Sequence, residues 1–371
     1  TVRRHLLVTN DYPPKVGGIQ NYLWELWRRL PANMATILTP RHPAAASFDS
    51  AQNHRIVRDS RKVLLPTRAL ASRITKLAQE VGAELVVLDP ALPLGHLGPA
   101  LDLPYAVVVH GAEVTVPRRL PVASNLLRRA LRGAEFVISA GSYPAKEASR
   151  AAGQPLKTIE VPPGVDPTRF CPSDAEKRRM DRLRFGLEQG PLVLSLGRLV
   201  PRKGFDRTIE AVASLRKEFS DIQLLIAGSG RDAGRLERIA RRLDLPVKFL
   251  GRVSELDLPS IFGMSDVFVM PCRNRWGGLE QEGFGIVFLE AASCGVPQVA
   301  GLSGGAHEAV IDGISGRVVK KPNDPDHVAD AIRAILTNLD EADRMSQESR
   351  NRATNEMSYD ILSRRLEKAL S

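Results

Sequence analysis

The sequence is poor in cysteine, in aromatic residues and in long apolar runs, and each shortage excludes a class of protein. Only three cysteines occur in 371 residues, and the spacing of Cys171, Cys272 and Cys294 fits neither a disulfide framework nor a zinc site. This usage is typical of a reducing compartment. Cys294 is predicted to be a small core residue rather than a nucleophile.

No apolar run is long enough for a signal peptide or a membrane-spanning helix. Residues 6–9 are too few for the apolar region of a secretory signal. The longest apolar-rich stretch, residues 85–109, is interrupted by Asp89, His96, Asp102 and several prolines, so it cannot cross a bilayer as one helix. We expect a cytoplasmic protein.

Aromatic residues make up 5% of the chain, whereas basic residues are in excess, with a net charge of +10. Residues 1–165 carry 21 Lys and Arg against 12 Asp and Glu, and the remainder carries 31 against 30. The few aromatics and the lack of a recognition motif argue against nucleic acid as a partner. An anionic membrane surface and a merely solvated basic face both stay open.

Apolar runs alternate with helical segments in two successive series, which predicts an α/β fold with two doubly wound, Rossmann-like domains. The length also favours two domains. Continuous apolar runs indicate parallel strands that are covered on both faces. The predicted strands are residues 5–9, 35–38, 85–88, 105–109 and 136–139 in the first series, and 192–196, 223–227, 247–250, 267–270 and 297–300 in the second.

The proline- and glycine-rich segment at residues 161–167 predicts a connection between the domains. The first domain is predicted to span residues 1–165 and the second residues 166–356, with a final helix within residues 357–371. Two facing domains of this kind would leave a cleft at the carboxyl ends of both sheets, where ligands are expected.

Two glutamates eight residues apart, Glu282 and Glu290, flank a glycine-rich turn that precedes a helix. Bare backbone N–H groups at a helix start form an anion site. Glu282 would then lie beside the anion, and Glu290 would face the same pocket from within the helix. A plain turn with two solvated carboxylates is the alternative.

Basic and glycine residues follow the first strand of each domain. Arg198 and Lys203 follow residues 192–196, and two cations there could neutralise a diphosphate without a metal. A basic surface turn is the alternative. Gly17 and Gly18 open the first helix after residues 5–9, either for phosphate approach or as a tight turn. They do not form a P-loop, because no Gly-Lys-Ser/Thr follows.

Three further features are less specific. His110 ends a buried strand, where it could contact a sugar or a phosphate, or simply be a hydrogen-bonded histidine. Residues 228–234 resemble a dinucleotide fingerprint faintly, with a glycine spacing one residue too long. The only Asp-x-Asp triplet, at residues 324–326, is predicted to cap a helix, so we expect no metal–diphosphate site.

Taken together, these motifs resemble those of retaining glycosyltransferases of the large GT-B family. The matching residues run almost end to end: Gly17 and Gly18, His110-Gly111, Pro163-Gly164-Val165-Asp166 with Phe170, Gly197-Arg198 with Lys203-Gly204, Glu282 with Glu290, and Ser303-Gly304-Gly305. Residues 8–14, 199–204 and 270–273 resemble more closely the actinobacterial GDP-mannose-dependent phosphatidylinositol monomannoside mannosyltransferases.

The resemblance implies a role for each matching residue. Arg198 and Lys203 would clamp the donor diphosphate, Glu290 would accept hydrogen bonds from the ribose, Glu282 would hold the sugar hydroxyls, and His110 would reach that sugar from the other domain. The remaining donor-binding residues would be Gly18, Gly283, Phe284, Gly285, Ile286 and, through its backbone, Val253. The final helix would pack back on the first domain.

The resemblance also implies the partners and the reaction. The donor would be GDP-mannose, with no cofactor and no metal, and the acceptor a lipid-linked mannosyl-inositol. The basic first domain would dock peripherally on the inner face of the cell membrane. Transfer would occur on the front face with retention, and the leaving phosphate would take the acceptor proton while Arg198 and Lys203 stabilise it.

The chain departs from close relatives near the expected acceptor. It has Ala112 where they have a histidine, His307 where they have a proline, and a different segment at residues 113–119. The acceptor is therefore the part that the resemblance defines least. Three alternatives stay open: a transferase with another donor, such as UDP-glucose, or a soluble acceptor; an NAD-dependent oxidoreductase that uses residues 228–234; and a non-catalytic lipid- or phosphate-binding module.

Overall fold

Two parallel β-sheets, one in each of two units, form the framework of the protein. The computed structural model describes residues 2–275, 277 and 283–371, without the side chain of His307. Unit 1 comprises Thr1–Pro163 and Tyr359–Ser371, and unit 2 comprises Gly164–Ser358. The predicted connection at residues 161–167 contains the first boundary between these units.

The described part of unit 1 has a seven-stranded parallel sheet in the order β3-β2-β1-β4-β5-β6-β7. The strands are β1 His5–Thr9, β2 Ala35–Pro40, β3 Arg55–Asp59, β4 Leu85–Asp89, β5 Tyr105–Val109, β6 Val137–Ser139 and β7 Thr158–Glu160. The helices are α1 Gly18–Trp27, α2 Ala45–Asp49, α3 Arg68–Val81, α4 Ala112–Thr115, α5 Pro121–Gly133, α6 Ser142–Ala152 and, from the end of the chain, α15 Tyr359–Ala369. Separate hydrophobic clusters on the two sides bury the central strands.

The described part of unit 2 has a six-stranded parallel sheet in the order β10-β9-β8-β11-β12-β13. The strands are β8 Leu192–Leu196, β9 Gln223–Ala227, β10 Val247–Gly251, β11 Val267–Met270, β12 Gln298–Gly301 and β13 Gly316–Val319. The helices are α7 Ala175–Arg184, α8 Phe205–Leu215, α9 Ala233–Arg242, α10 Leu258–Gly263, α11 Ile286–Ser293, α12 Ala306–Ala309, α13 Pro325–Thr337 and α14 Leu339–Asn355.

Local sequence signals explain where several helices begin and end. The Thr67 side chain accepts a hydrogen bond from the Leu70 amide at the start of α3, and Gly82 ends that helix in the left-handed conformation. Asp324 caps the Asp326 amide at the start of α13, as the triplet predicts. Cys294 is a small core residue, as predicted, because its side chain is buried in the core of unit 2.

The prediction of two doubly wound α/β domains is confirmed, but three strands were missing from it. All three, β3, β7 and β13, lie at an edge of a sheet. Charged residues occupy these short strands, as in Arg55, Arg58 and Asp59 of β3. An edge strand has a free side, so it lacks the continuous apolar run that reveals a buried parallel strand.

The C-terminal helix α15 packs on unit 1, the position expected for it. Its side chains Leu362 and Leu366 are fully buried in the same cluster as Leu26 and Trp27. The backbone amide of Arg3 also donates to the carbonyl of Leu370 over 2.9 Å. No helix among the described residues is long and apolar enough to cross a membrane.

Candidate active site

The sheet of unit 2 changes direction between β8 and β11, which are neighbours. From β8 the chain proceeds to β9 and β10, whereas from β11 it proceeds the opposite way to β12 and β13. Because βαβ crossovers are right-handed, the connecting helices lie on opposite faces, and a crevice forms at the carboxyl ends of β8 and β11. The loop after β8 contains Arg198 and Lys203, and the segment after β11 leads into α11, which starts beside Gly283, Phe284 and Gly285.

Arg198 and Lys203 lie on one loop after β8, residues 197–204, called here the β8 loop. Arg198 is exposed, whereas Lys203, in a 3₁₀ turn at Pro201–Lys203, is buried with 7% of its surface accessible. The Lys203 side chain runs back along the loop, because its Cε lies 3.9 Å from the position that a Gly197 Cβ would occupy. The two predicted cations thus share a loop but differ in solvent access.

Glycines allow the β8 loop to pack closely against its neighbours. A Cβ on Gly204, whose φ is +75°, would lie 2.2 Å from the Pro271 carbonyl oxygen. One on Gly228 would lie 1.9 Å from the Gly197 oxygen, and one on Gly230 would lie 2.2 Å from the Leu199 oxygen. Packing of loop on loop therefore accounts for Gly228 and Gly230 without a dinucleotide cofactor.

The helix α11 begins at a bare N-terminus, as the glycine-rich turn predicts. Its N-cap, Gly285, has a φ of +81°, and no side chain caps the helix among the described residues. Gly283 packs against the next loop, since a Cβ on Gly305 would lie 2.1 Å from the Gly283 oxygen. Phe284 is buried and Ile286 is half-buried. Glu282 lies outside the described residues.

Glu290 lies on the second turn of α11, beside charged groups of other segments. Burial and, to a smaller extent, the Glu255 carboxylate raise the pKa of the Glu290 carboxyl to about 7, against the opposing effect of Arg169. Arg169 in turn binds Glu255 over 2.7 Å. Glu255 and the half-buried Val253 both follow β10. Because Glu255 acts on Glu290, Glu290 and Val253, which is predicted to contact the base, lie in the same region of unit 2.

In unit 1 the corresponding change of direction lies between β1 and β4. Asp89, at the carboxyl end of β4, is fully buried and accepts hydrogen bonds from Thr9 Oγ1 and His110 Nε2, both over 2.6 Å. The backbone amide of Asp11 donates to Thr9 Oγ1 over 2.8 Å. His110 is therefore one member of a buried network that fixes its ring.

The charge on this network favours a protonated histidine. Burial lowers the pKa of His110, but the Asp89 carboxylate, assisted by Glu113 and Asp11, outweighs burial and raises the pKa to about 9. Tyr22 packs its ring at 83° to the imidazole, with centroids 5.7 Å apart. A protonated His110 can donate from Nδ1 while Nε2 binds Asp89.

Thr9 and Asp89 are candidate site residues that no sequence motif predicted. Asp89 gave a signal, because an aspartate that ends an otherwise apolar strand needs a partner when buried. The predicted residues Gly17 and Gly18 are exposed at the start of α1, which has no side-chain cap. A Cβ on Gly17 would meet only the tip of the flexible Gln20 side chain, at 2.2 Å.

Comparison with known proteins identifies the family. The sequence model described as "Glycosyltransferase Family 4" matches residues 16–169, and the model described as "Glycosyl transferases group 1" matches residues 179–352. This chain belongs to glycosyltransferase family 4. The predicted enzyme class is therefore confirmed, and the oxidoreductase and non-catalytic alternatives are set aside.

Full-length relatives of this glycosyltransferase occur in actinobacteria. It is 39% identical to a GDP-mannose-dependent alpha-(1-6)-phosphatidylinositol monomannoside mannosyltransferase of Mycobacterium tuberculosis, covering 98% of this chain and 97% of the relative. It is 34% identical to a GDP-mannose-dependent monoacylated alpha-(1-6)-phosphatidylinositol monomannoside mannosyltransferase of Corynebacterium glutamicum, with the same shares of 98% and 97%.

Solved structures show the same fold. The glycosyltransferase matches Anabaena Alr3699/HepE in complex with UDP and glucose with a TM-score of 0.81 and 20% identity over 99% of both chains. It matches WaaG, a glycosyltransferase of lipopolysaccharide biosynthesis, with a TM-score of 0.70 and 20% identity over 99% of both chains. These matches confirm the GT-B architecture predicted from the motifs.

Proposed function

We propose that this glycosyltransferase transfers mannose from GDP-mannose to a mannosylated phosphatidylinositol, with retention of the anomeric configuration. The observation that carries the proposal is the 39% identity over 98% of the chain to an enzyme named for that donor and acceptor. Such similarity over both units, rather than over one, supports the same reaction and not merely the same fold.

Donor binding in this proposal uses the groups at the carboxyl edge of the unit 2 sheet. Arg198 and Lys203 neutralise the diphosphate, and the backbone amides at the start of α11 add hydrogen bonds and the positive end of the helix dipole. Glu290 accepts hydrogen bonds from the ribose, and the Val253 backbone contacts the base. Glu282, beyond the described residues, holds the sugar hydroxyls.

Catalysis is then electrostatic. The bond between the anomeric carbon and the phosphate oxygen breaks while the acceptor hydroxyl attacks from the same face, and the departing phosphate oxygen takes the hydroxyl proton. Charge that develops on the diphosphate is stabilised by Arg198 and Lys203, which are in place before the reaction. His110 donates a hydrogen bond to the transferred sugar. The pairing of His110 with Asp89 supports the protonated imidazole that donates this bond.

A donor and acceptor assay tests this function. The purified full chain is incubated with GDP-mannose and phosphatidylinositol monomannoside, and the lipid products are measured by mass spectrometry. We expect one added hexose and release of GDP, in EDTA as well as in magnesium, because the proposed diphosphate contacts are protein cations. Faster transfer from UDP-glucose than from GDP-mannose, or transfer only to soluble acceptors, would overturn the assignment.

The proposal includes docking of unit 1 on an anionic membrane at the inner face of the cell membrane. An exposed apolar group supports it: Leu120 and Val122 are 55% and 75% accessible, and Val116 lies nearby at 39%. Arg118 and Arg119 lie between them in the sequence. Apolar side chains interleaved with basic ones are typical of segments that lie in the lipid headgroup region.

Vesicle sedimentation tests the docking surface. We expect the double variant Leu120→Asp, Val122→Asp to bind phosphatidylglycerol vesicles at least about tenfold more weakly than the wild type, because it loses apolar area and adds negative charge. Leu256→Asp, at a residue 92% accessible in unit 2, is the control and should bind normally. Equal losses in both variants would remove the segment from the docking surface.

A further inference from the structure

An arginine-lined cavity lies in unit 2, on the face of the sheet opposite to α11. It has a volume of about 690 Å³, within the range of roughly 300–1,000 Å³ that is usual for small-molecule sites. Its lining includes Asp206 and Arg207 at the start of α8, Asp232 and Arg235 at the start of α9, and Arg273 after β11.

The topology separates this cavity from the groups proposed to bind the donor. Since α8 and α9 follow strands that proceed one way from the switch point and α11 follows a strand that proceeds the other, right-handed crossovers put them on opposite faces. The helix α13 packs on α8, and Asn323, just before α13, also lines the cavity. Pro201 of the β8 loop also lines the cavity, but none of the described residues predicted to bind the donor does.

The cavity is positively charged. A smaller cavity of about 350 Å³ shares Asp206, Arg207 and Arg235 with it and adds Glu210, Arg238 and Arg242. The described lining of the two cavities contains six arginines, Arg275 among them, and three carboxylates. The helices α8 and α9 both begin here, and neither has a side-chain cap among the described residues. Their N-termini add to the attraction for an anion.

Two buried polar atoms of the lining have no hydrogen-bond partner among the described residues. Asp206 is 3% accessible, and its Oδ2 binds Arg273 over 2.9 Å and Arg235 over 3.2 Å. Its Oδ1 has no hydrogen-bond partner within the described part of the chain, and neither has the buried Nε of Arg207. Arg207 Nε lies 4.0 Å from Asp206 Oδ2, too far for a hydrogen bond, and Arg207 Nη1 binds Glu210. The site therefore offers the acceptor Asp206 Oδ1 next to an Nε donor that makes no hydrogen bond among the described residues, and each such atom is costly without a ligand.

We propose that this cavity binds a phosphate group carried on a polyhydroxyl compound. Asp232 holds Arg235 through Nε and Nη2, and Glu210 holds Arg207 through Nη1. The remaining N–H groups of these two arginines would bind the phosphate oxygens, since guanidinium groups match phosphate geometry. Asp206 Oδ1 would accept a hydrogen bond from a hydroxyl of the ligand. A soluble sugar or polyol phosphate and a phospholipid headgroup share this chemistry. The proposal goes beyond the transferase reaction and does not depend on its donor or acceptor.

Calorimetric titration of the full chain, without donor or acceptor, tests the site. The soluble probe is sn-glycerol 3-phosphate, and the lipid probe is phosphatidylcholine vesicles that contain phosphatidylinositol. We expect Arg207→Gln to weaken binding of the effective probe by about tenfold or more. Arg216→Gln, at an exposed arginine near the other end of α8, is the matched control and should bind as the wild type does.

A second variant tests the hydroxyl contact. Asp206→Asn should lower the preference for sn-glycerol 3-phosphate over inorganic phosphate, since the amide group presents one acceptor where the carboxylate presents two. Circular dichroism establishes that each variant is folded, and Arg207→Gln provides the test if Asp206→Asn fails to fold.

The outcomes distinguish the two sources of the ligand from each other and from binding of the probe in the donor pocket. Arginine-dependent binding of the soluble probe supports a free polyol phosphate, and arginine-dependent binding of the vesicles alone supports a lipid headgroup. Binding that is unchanged in Arg207→Gln would overturn the proposal. So would a probe that GDP displaces competitively and that Lys203→Ala no longer binds, because the probe would then occupy the donor pocket.

Discussion

At the scale of single residues, Lys203 is the cation whose removal should be most informative. It is buried in the β8 loop, whereas Arg198 on the same loop is exposed to solvent. We expect Lys203→Ala to lower kcat by at least about tenfold, since one charge-assisted contact to the leaving diphosphate is worth roughly 1.5–3 kcal/mol. GDP release from GDP-mannose in the presence of acceptor measures this.

The control for that variant is Lys217→Ala, at an exposed lysine of unit 2. It changes the net charge equally and should leave kcat unaltered. Near-normal turnover in Lys203→Ala, with an unchanged circular dichroism spectrum, would remove the lysine from the diphosphate clamp.

Glu290 gives a prediction about pH. Because burial and Glu255 raise the pKa of Glu290 to about 7, the carboxyl is largely protonated below neutral pH and ionised above it. A carboxylate accepts hydrogen bonds from ribose hydroxyls more strongly than the neutral acid does. We therefore expect the affinity for GDP to increase as the pH rises through about 7, and Glu290→Gln to abolish that increase.

Titrations of GDP from about one and a half pH units below to about one and a half above the expected pKa measure the effect. Glu255→Gln removes the neighbouring like charge and should shift the rise toward lower pH. A rise that persists unchanged in Glu290→Gln would show that another group titrates.

The His110–Asp89 pair predicts a pH dependence of stability. The pKa of His110 is raised to about 9 in the folded protein, compared with about 6.5 in an unfolded chain. Its contribution to stability is therefore complete below about pH 6.5 and is lost as the pH rises through about 9. We expect His110→Gln to be destabilised at pH 6.5 and to lose little further stability by pH 9.

Urea unfolding of the wild type and His110→Gln at several pH values measures this difference. His327→Gln, at an exposed histidine of unit 2, should follow the wild-type pH profile. Parallel profiles for the wild type and His110→Gln would contradict a protonated histidine in the folded state.

At the scale of elements, the loops at the carboxyl edge of the unit 2 sheet depend on glycine. Gly228 has a φ of +128°, and an added Cβ would lie 1.9 Å from the Gly197 oxygen. We expect Gly228→Ala to lower the free energy of unfolding by about 2 kcal/mol or more, because both backbone strain and overpacking oppose it. Thermal unfolding of the purified variant measures the loss.

Gly234→Ala is the matched control from the same glycine-rich segment. An added Cβ at Gly234 would meet nothing within 4 Å, and the residue lies in the first turn of α9. Its stability should equal or slightly exceed that of the wild type, by up to about 1 kcal/mol. Equal losses in the two variants would mean that loop packing does not explain the requirement for glycine.

The difference between predicted and observed strands has a physical cause at this scale. Central strands such as β1, β8 and β11 are buried on both faces, so their apolar runs identified them from sequence. The strands β3, β7 and β13 lie at sheet edges, where charged residues are tolerated and pairing with a single neighbour decides the conformation. Sequence patterns could not supply that neighbour.

At the scale of the whole molecule, unit 1 depends on the far end of the chain. Leu366 of α15 is fully buried in the cluster that contains Leu26 and Trp27. We expect Leu366→Ala to lower the free energy of unfolding of unit 1 by about 2–5 kcal/mol, through lost burial and a residual cavity. Fluorescence follows this unit, since Trp24 and Trp27 are two of the three tryptophans in the chain.

Leu339→Ala provides the control, because Leu339 is 70% accessible and its truncation should change stability by less than about 0.5 kcal/mol. If tryptophan fluorescence shows the same unfolding transition for Leu366→Ala as for the wild type, α15 does not contribute to the stability of unit 1.

The sequence by itself determined the fold class, the family and most of the proposed donor residues, because apolar runs and glycine-rich turns are local features of the chain. An apolar run indicates a buried strand, and a glycine-rich turn leaves backbone N–H groups accessible. Tertiary structure decided what depends on distant partners. It placed Asp89 against His110 and Thr9, and so supplied the charge of the histidine. It buried Lys203 while Arg198 stayed exposed, and it brought Asp206, Arg235 and Arg273 into one cavity. Charge pairs of this kind form only when segments far apart in sequence meet, so a local pattern can signal that Asp89 needs a partner but cannot show which residue the partner is.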